Sequence, residues 1–282
     1  MNILVECSSF FAAPHLAECL GANLYVLNTK YNEFHGRDSV QGIYAGDGLE
    51  NVGNGDLIVI GATALLRVEG QLGRFRSVKF IACDSGTIQY MREVRRISRG
   101  MRVYAMPDLA VYLDGSKPIY QYLPKMNRQA KGDGLVIGHS PRTSRKVQKK
   151  GTKIIQQLSS YPIKLITGLP MGEALREKGE CHVFIDQLIT QEVADRYYIS
   201  SYRGGIGKSG LEAMILGCAV ITSGDRMPSD DFPPPPIVYT DEKDFVKDLD
   251  YTIDNRERIV REQSKWLRKY MTKKFFREYL CE

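Results

Sequence analysis

One glycine-rich stretch near residue 210 constrains the fold of this chain most tightly. It reads Gly204-Gly205-Ile206-Gly207-Lys208-Ser209-Gly210-Leu211-Glu212 and continues through Gly217 into the apolar run 219–222. The pattern predicts a glycine loop, a short helix that carries one acid, a glycine stop and a buried strand. Such a loop can hold phosphate, because the first N–H groups of a helix have no intrahelical acceptor and the helix dipole is positive there. Glu212 is then placed to accept the ribose hydroxyls of a nucleotide.

Two other interpretations of this stretch are open. Gly207-Lys208-Ser209 is similar to the end of a P-loop, but that motif needs a glycine five residues before Gly207, where this chain has Tyr202. The helix that follows is also short, since Gly217 ends it. A tight turn between two elements of an α/β domain would use glycines as well.

Apolar runs without polar alternation recur along the chain, separated by helix-length segments. The predicted strands are residues 2–7, 22–27, 56–61, 78–83, 101–106, 135–138, 163–166, 182–186, 219–222 and 237–239. Runs of this kind indicate parallel sheets that are covered by helices on both faces. The predicted fold class is therefore α/β, with two Rossmann-like doubly wound domains facing a cleft.

A length of 282 residues suggests about two domains. The best linker candidate is the stretch 115–131, rich in Gly, Pro, Lys and Tyr, which closes with Gly132-Asp133-Gly134. We therefore expect an N-terminal domain over residues 1–125 and a second domain over 126–260. The segment 261–282 is expected to be a C-terminal helix that packs back on the first domain.

Composition narrows the possible partners and the compartment. No apolar run approaches ~18 residues, so neither a membrane span nor a signal peptide is expected. The six cysteines are scattered without a CxxC motif, which favours free thiols in a cytoplasmic protein, and the four histidines form no close ligand pair, which argues against a dedicated metal site. The net charge of +6 favours an anionic partner, whether nucleic acid, lipid headgroup or phosphorylated small molecule.

The first half carries two candidate catalytic residues, His15 and Asp84, both near the carboxyl ends of predicted strands. Asp84 follows an apolar strand directly and is placed to take a proton from an incoming hydroxyl. Alternatively, Asp84 is only the N-cap of a predicted helix over residues 87–95.

Two basic runs add to the positive charge. They comprise Arg92, Arg95, Arg96, Arg99 and Arg102 in the first half, and Lys265, Arg268, Lys269, Lys273, Lys274 and Arg277 near the C-terminus. Either run is a solvated helix face or a surface that holds a polyanion.

Three further pieces of the second half accompany the glycine loop. His139-Ser140-Pro141-Arg142 follows a strand, Lys149-Lys150-Gly151-Thr152 precedes a helix, and Asp186 ends another strand. In this order the chain resembles the nucleotide-sugar glycosyltransferases of the two-domain GT-B architecture, in particular the large retaining group called family 4. That group continues its glycine loop with Glu-Ala-Met-x-x-Gly-x-x-Val-Ile, which here is the run from Glu212 to Ile221. The resemblance covers about residues 133–225.

The resemblance implies a retaining, metal-independent glycosyltransferase whose co-substrate is a nucleotide sugar, a UDP-sugar by expectation, with no permanently bound cofactor. It implies that Lys150 and Arg142 meet the donor diphosphate and that Glu212 accepts the ribose hydroxyls. Many members carry another acid eight residues before that Glu, where this chain has Gly204, so backbone N–H groups of the loop are expected to take part instead. The full predicted donor-binding set is His139, Ser140, Arg142, Lys150, Gly151, Asp186, Gly205, Ile206, Gly207, Lys208, Ser209 and Glu212.

The acceptor is less constrained. A hydroxymethylated base in duplex DNA is one candidate, as in the small phage enzymes of this architecture, and the net charge, the basic runs and the short first half agree with it. A polysaccharide or lipid-linked glycan is the alternative acceptor. A third hypothesis is a non-catalytic protein that binds nucleotide sugar or nucleic acid. The presence of both Lys150 and Glu212 argues against this hypothesis.

Overall fold

The computed structural model describes residues 1–5, 12–27, 43–44, 49–83, 87, 89–110, 112–141, 150–190, 205–224 and 229–281. The chain divides into two compact units. The first contains Met1–Leu123 and Lys273–Glu282, and the second contains Pro124–Thr272. In the described residues, each unit is built on one sheet whose strands are all parallel.

The first unit contains a sheet with the strand order β3-β2-β1-β4-β5-β6-β7. Its strands are β1 (Asn2–Val5), β2 (Asn23–Val26), β3 (Ile43–Tyr44), β4 (Asp56–Ile60), β5 (Ser77–Ala82), β6 (Arg102–Ala105) and β7 (Lys117–Pro118). Successive residues of β1 and β4 are buried because helices cover both faces, which explains why these strands show no polar alternation. The strand order reverses between β1 and β4, as in a doubly wound fold.

Helices of the first unit pack their apolar residues onto this sheet. They are α1 (Ala13–Leu20), α2 (Ala62–Val68), a 3₁₀ segment (Glu69–Arg74), α3 (Met91–Ile97) and α4 (Pro107–Ala110). Leu65 on α2 and Val94 on α3 join Phe80 of β5 in one fully buried core cluster. Gly21, with a φ of 62°, ends α1 in the left-handed conformation that favours glycine.

The second unit contains a shorter sheet with the order β12-β11-β10-β8-β9. Its strands are β8 (Ile137–His139), β9 (Ile163–Leu165), β10 (Val183–Ile185), β11 (Ala219–Ser223) and β12 (Val238–Thr240). Its helices are α5 (Thr152–Gln156), α6 (Met171–Glu180), α7 (Lys208–Ile215), α8 (Phe245–Asp254) and α9 (Arg256–Tyr270). Here the strand order reverses between β8 and β10, so the carboxyl ends of these two strands mark the expected ligand position.

The chain returns to the first unit as α10 (Lys273–Cys281). Phe276 and Leu280 of this helix are fully buried, and the Tyr279 hydroxyl donates to the carbonyl of Pro118 at 2.6 Å. The return comes at Lys273 rather than at residue 261, because α9 belongs to the second unit and contacts β11 there.

The predicted α/β class with two doubly wound sheets is confirmed, and each predicted strand is present with ends shifted by at most a few residues. The segment 261–282 contains the end of α9 and all of α10, with a break between Tyr270 and Lys273. Within the described part of the chain, no helix is long and apolar enough to cross a membrane. The same part holds no cluster of His, Cys, Asp and Glu suited to a metal ion.

Candidate phosphate and nucleotide site

The candidate site lies at the carboxyl ends of β8 and β10, where the strand order of the second sheet reverses. His139, the last residue of β8, is paired in register with Ile185, the last residue of β10. The residue after Ile185 is Asp186, and its carboxylate contacts residues from both neighbouring loops. A parallel α/β sheet leaves a crevice for ligands at this position, because the adjoining loops run to opposite faces.

Asp186 is the centre of the arrangement. Its side chain is fully buried, with Oδ1 3.3 Å from Lys150 Nζ and Oδ2 accepting the N–H of Gly207 at 2.5 Å. A buried carboxylate requires such donors, and both oxygens have one. Asp186 therefore holds Lys150 and the glycine loop beside each other, and its buried carboxylate does not face solvent.

Lys150 is fixed by the backbone geometry of the residue that follows it. Gly151 has a φ of +67°, and a Cβ at this position would lie 2.2 Å from the carbonyl oxygen of Leu188. The N–H of Leu188 donates to the carbonyl of Lys150 at 3.0 Å. Only glycine fits here, and the close contact locks the start of α5 onto the end of β10. The Lys150 side chain remains 20% exposed, so its ammonium can reach a ligand.

His139 lies behind the site rather than at its surface. Its ring is fully buried, with Nδ1 2.9 Å from the carbonyl oxygen of Ile185 and Nε2 2.9 Å from Thr152 Oγ1. Since a carbonyl only accepts, Nδ1 carries the proton and Nε2 accepts from the Thr152 hydroxyl. Burial lowers the pKa of His139 to about 4, which leaves the imidazole neutral at pH 7. His139 thus joins β8, β10 and α5 and has no ring nitrogen free for a ligand.

The glycine loop is held at both its ends. Gln187 Nε2 donates to the carbonyl of Gly205 at 2.5 Å, and the Thr222 hydroxyl donates to the same carbonyl at 3.2 Å. Ile206 buries its side chain. At Gly210 a Cβ would lie 2.9 Å from Asp186 Cγ, so only glycine at this position lets the first turn of α7 lie this close to the carboxylate.

The N-terminus of α7 presents backbone donors that have no acceptor within the helix itself. The N–H groups of Lys208, Ser209 and Gly210 belong to the first turn, where a helix offers them no acceptor. The Ser209 hydroxyl oxygen is buried, and no described residue hydrogen-bonds to it. Together with the Lys150 ammonium and the helix dipole, these groups suit an anion with several oxygens, such as a phosphate.

Glu212, in the middle of α7, is buried and already paired. Its Oε2 lies 2.5 Å from Lys178 Nζ and its Oε1 lies 3.7 Å from Lys208 Nζ. Lys178 was not among the residues that the sequence pointed to. It stands in the charged run Arg176-Glu177-Lys178, a pattern typical of an exposed helix face, so no local signal reveals that α6 buries it.

Of the remaining predicted residues, the structure describes Ser140 and His15. The Ser140 hydroxyl donates to the carbonyl of Ile166 at 3.1 Å and so links β8 to the end of β9. His15 lies in the first turn of α1 in the first unit and is partly exposed. Arg142, Asp84 and Gly204 lie outside the described residues.

No protein-family model matches the chain, and no curated protein matches it in sequence. Solved structures match it over nearly its whole length. HepE from Anabaena, in complex with UDP, superposes with a TM-score of 0.60 at 10% identity over 99% of this chain and 98% of that chain. A glycosyltransferase from Rickettsia africae gives 0.56 at 10% identity over 99% and 96%. Sucrose-phosphate synthase from Thermosynechococcus elongatus gives 0.55 at 11% identity, again over 99% and 96%. At such low identity the likeness is one of fold, and the chain has the two-sheet α/β fold of these structures, as the resemblance in sequence predicted.

Proposed function

We propose that the protein transfers a sugar from a nucleotide-sugar donor to an acceptor hydroxyl. The observation that carries this proposal is the meeting of Lys150 with the first turn of α7 at the carboxyl ends of β8 and β10, with Glu212 in the same helix. A cation, the first-turn amides of a helix and an acid further along the same helix match the diphosphate and ribose of such a donor. The UDP complex of the similarly folded HepE supports a nucleoside diphosphate, with uridine as our first choice.

The chemistry follows from charge. As the bond between the sugar and the diphosphate breaks, negative charge grows on the leaving phosphate, and Lys150, the first-turn amides of α7 and the Ser209 hydroxyl can stabilise it without a metal ion. We propose retention of configuration, with a phosphate oxygen of the leaving group taking the proton of the acceptor hydroxyl. Asp84 and His15 stay our candidates on the acceptor side, and Arg142 stays a candidate ligand of the diphosphate.

For the acceptor we propose a hydroxymethylated base in duplex DNA. The net charge of +6 and the exposed arginines of α3 support a polyanion. Several basic side chains already have partners, however: Arg96 pairs with Glu69, Arg95 donates to the carbonyl of Tyr112, and Lys273 pairs with Glu18. The two ion pairs reduce the charge available to DNA, and they support the second candidate acceptor, a polysaccharide or lipid-linked glycan. Cys19, Cys181, Cys218 and Cys281 are free thiols, which agrees with a cytoplasmic location.

Donor binding is tested by Lys150→Met, with Lys153→Met as the matched control. Both lysines lie at the start of α5, but Lys153 is exposed. A charge-assisted hydrogen bond contributes about 1.5–3 kcal/mol, so Lys150→Met should weaken binding of UDP by about 10- to 150-fold in calorimetry. Lys153→Met should bind UDP as the wild type does. Equal affinities of wild type and Lys150→Met for UDP, GDP and ADP would overturn the donor site.

The acceptor is tested by incubation with radiolabelled nucleotide sugars and either hydroxymethylcytosine-containing duplex DNA or cell-envelope glycans. Transfer to DNA should come with binding that falls steeply with salt, at a log–log slope of about −0.9 per phosphate contact. Transfer to a glycan, with salt-independent binding, would replace DNA by the alternative acceptor. Donor binding without transfer to any acceptor would leave a non-catalytic binding protein.

A further inference from the structure

A buried ion pair joins α6 to α7 beside the candidate site, and the proposed chemistry does not use its cation. Lys178 Nζ lies 2.5 Å from Glu212 Oε2, and the two side chains are 6% and 5% exposed. The ammonium also lies 5.7 Å from the centre of the Phe184 ring on β10. Within the described part of the chain, Glu212 is the carboxylate that pairs with Lys178. The pair therefore joins two oppositely charged residues that lie 34 positions apart in the chain.

Stability alone does not explain this pair. Removing two charges from water costs about as much as their attraction returns, and well-packed apolar side chains in their place are often as stable or more so. What a buried pair supplies is a defined geometry. The backbone that carries Lys178 is also held, because its carbonyl accepts from Cys218 Sγ at 3.1 Å and the next carbonyl, of Gly179, accepts from Lys131 Nζ at 3.3 Å.

The two oxygens of Glu212 have different surroundings. Oε2 is engaged by Lys178 in the interior, whereas Oε1 is 3.7 Å from Lys208 Nζ, a loose contact with a side chain that is 26% exposed. Lys208 is the first residue of α7, so Oε1 is directed toward the N-terminal end of this helix, where the first-turn amides have no acceptor within the helix. A carboxylate fixed by one oxygen offers the other as an acceptor in one orientation.

We infer that Lys178 is a positioning residue: it fixes the Glu212 carboxylate so that Oε1 accepts the ribose hydroxyls of the donor nucleotide. The inference rests on the proposed function, since it requires a nucleoside diphosphate in the site. It makes discrimination between a ribose and a sugar without hydroxyls depend on a lysine that does not touch the nucleotide.

The test compares two ligands, a nucleoside diphosphate and its 2′,3′-dideoxy analogue, using whichever of UDP, GDP and ADP binds the wild type most tightly. Calorimetry should show the ribonucleotide bound at least about tenfold more tightly by the wild type, because a hydrogen bond to a charged group is at stake. In Lys178→Met the ratio of the two dissociation constants should fall to within about twofold of one. Arg176→Met is the matched control, because Arg176 lies on α6 but is exposed and pairs with Glu180; it should keep the wild-type ratio.

A double-mutant cycle covers the case in which Lys178→Met fails to fold, since it leaves a carboxylate buried with only a loose partner. The double variant Lys178→Met/Glu212→Gln removes both buried charges, whereas Glu212→Gln alone leaves the Lys178 ammonium with a neutral amide oxygen, and thermal melting of each variant establishes whether it folds. If Lys178 acts through Glu212, adding Lys178→Met to Glu212→Gln should leave the ratio unchanged.

The outcomes separate the two proposals. A folded Lys178→Met protein that keeps the wild-type ratio would reduce the pair to a structural contact and overturn the inference. A wild type that binds the diphosphate without discriminating the dideoxy analogue would overturn the inference and leave the donor site standing. A wild type that binds none of the three diphosphates would overturn the proposed function and the inference together.

Discussion

Lowering the pH tests whether His139 is held as a neutral imidazole. The ring is fully buried between Ile185 and Thr152, and burial lowers its pKa from 6.5 to about 4. The unfolded chain therefore binds a proton between these two pH values that the folded chain does not. By linkage, stability is complete above pH 6.5, falls as the pH drops from 6.5 to about 4, and is level again below.

The magnitude follows from the same two values. At pH 5.0 the unfolded imidazole is mostly protonated and the folded one is not, a difference of 1.5 pH units that corresponds to about 2 kcal/mol. At pH 7.5 both states are neutral and the effect vanishes. The carboxylate of Asp56, whose pKa is lowered to about 2 by Arg76, titrates below this window and does not interfere.

Urea unfolding of wild type and His139→Gln measures this difference. Trp266 is the one tryptophan of the chain, is buried and lies in the second unit, so its fluorescence follows the unfolding of the unit that contains His139. His139→Gln cannot titrate, and the stability advantage of the wild type over it should shrink by about 2 kcal/mol between pH 7.5 and 5.0. His182→Gln is the control: His182 is partly exposed and burial also lowers its pKa, so a smaller change is expected.

A constant difference between wild type and His139→Gln from pH 7.5 to 5.0 would refute the reasoning. A direct measurement supplements it, because the imidazole C–H resonance of a ring with a pKa near 4 should not shift between pH 7.5 and 5.5. A resonance that titrates near 6.5 would show instead that the ring is open to water.

Three further predictions concern the loops of the second unit and the thiols. Gly151→Ala should lower the free energy of unfolding of that unit by well over about 1–2 kcal/mol in Trp266-monitored urea unfolding. Gly168→Ala is the control, because Gly168 has a similar φ of +70° but no atom within 4 Å of the added Cβ, and it should lower the free energy of unfolding by only about 1–2 kcal/mol. Equal losses in the two variants would contradict the contact with Leu188. Gly210→Ala should disturb the contact of α7 with Asp186 and weaken binding of UDP. Gly172→Ala is the control, because Gly172 is helical and has no atom near the added Cβ, and it should leave the stability of the protein unchanged or raise it by up to about 1 kcal/mol. An unaltered UDP affinity in Gly210→Ala would count against the site. Among the described cysteines, Cys281 is exposed and should react first with iodoacetamide at pH 8, whereas burial raises the pKa of Cys181 to about 12 and should protect it; mass spectrometry of labelled peptides checks the order, and early labelling of Cys181 would contradict it.

The sequence by itself determined the elements and the place of the glycine loop. Apolar runs such as Ile3 to Val5 and Val183 to Ile185 carry their own signal, because a strand buried on both faces needs apolar residues throughout. The loop before α7 was equally local, since Gly207 and Gly210 stand next to the helix that they serve and Gly217 ends it with a φ of +87°. Once parallel strands were predicted, the carboxyl ends of β8 and β10 followed as the site.

Only the tertiary structure decided what the polar side chains of the site do. Asp186 was predicted as a donor-binding residue, but its carboxylate is buried and binds Lys150 and the N–H of Gly207. His139 was predicted in the same role, but both of its ring nitrogens are hydrogen-bonded within the protein. Lys178 gave no sign in the sequence, because the charge of a residue does not reveal which distant carboxylate will be folded against it. Local patterns specify burial along a strand or helix, whereas the pairing of buried charges depends on how elements far apart in the chain pack together.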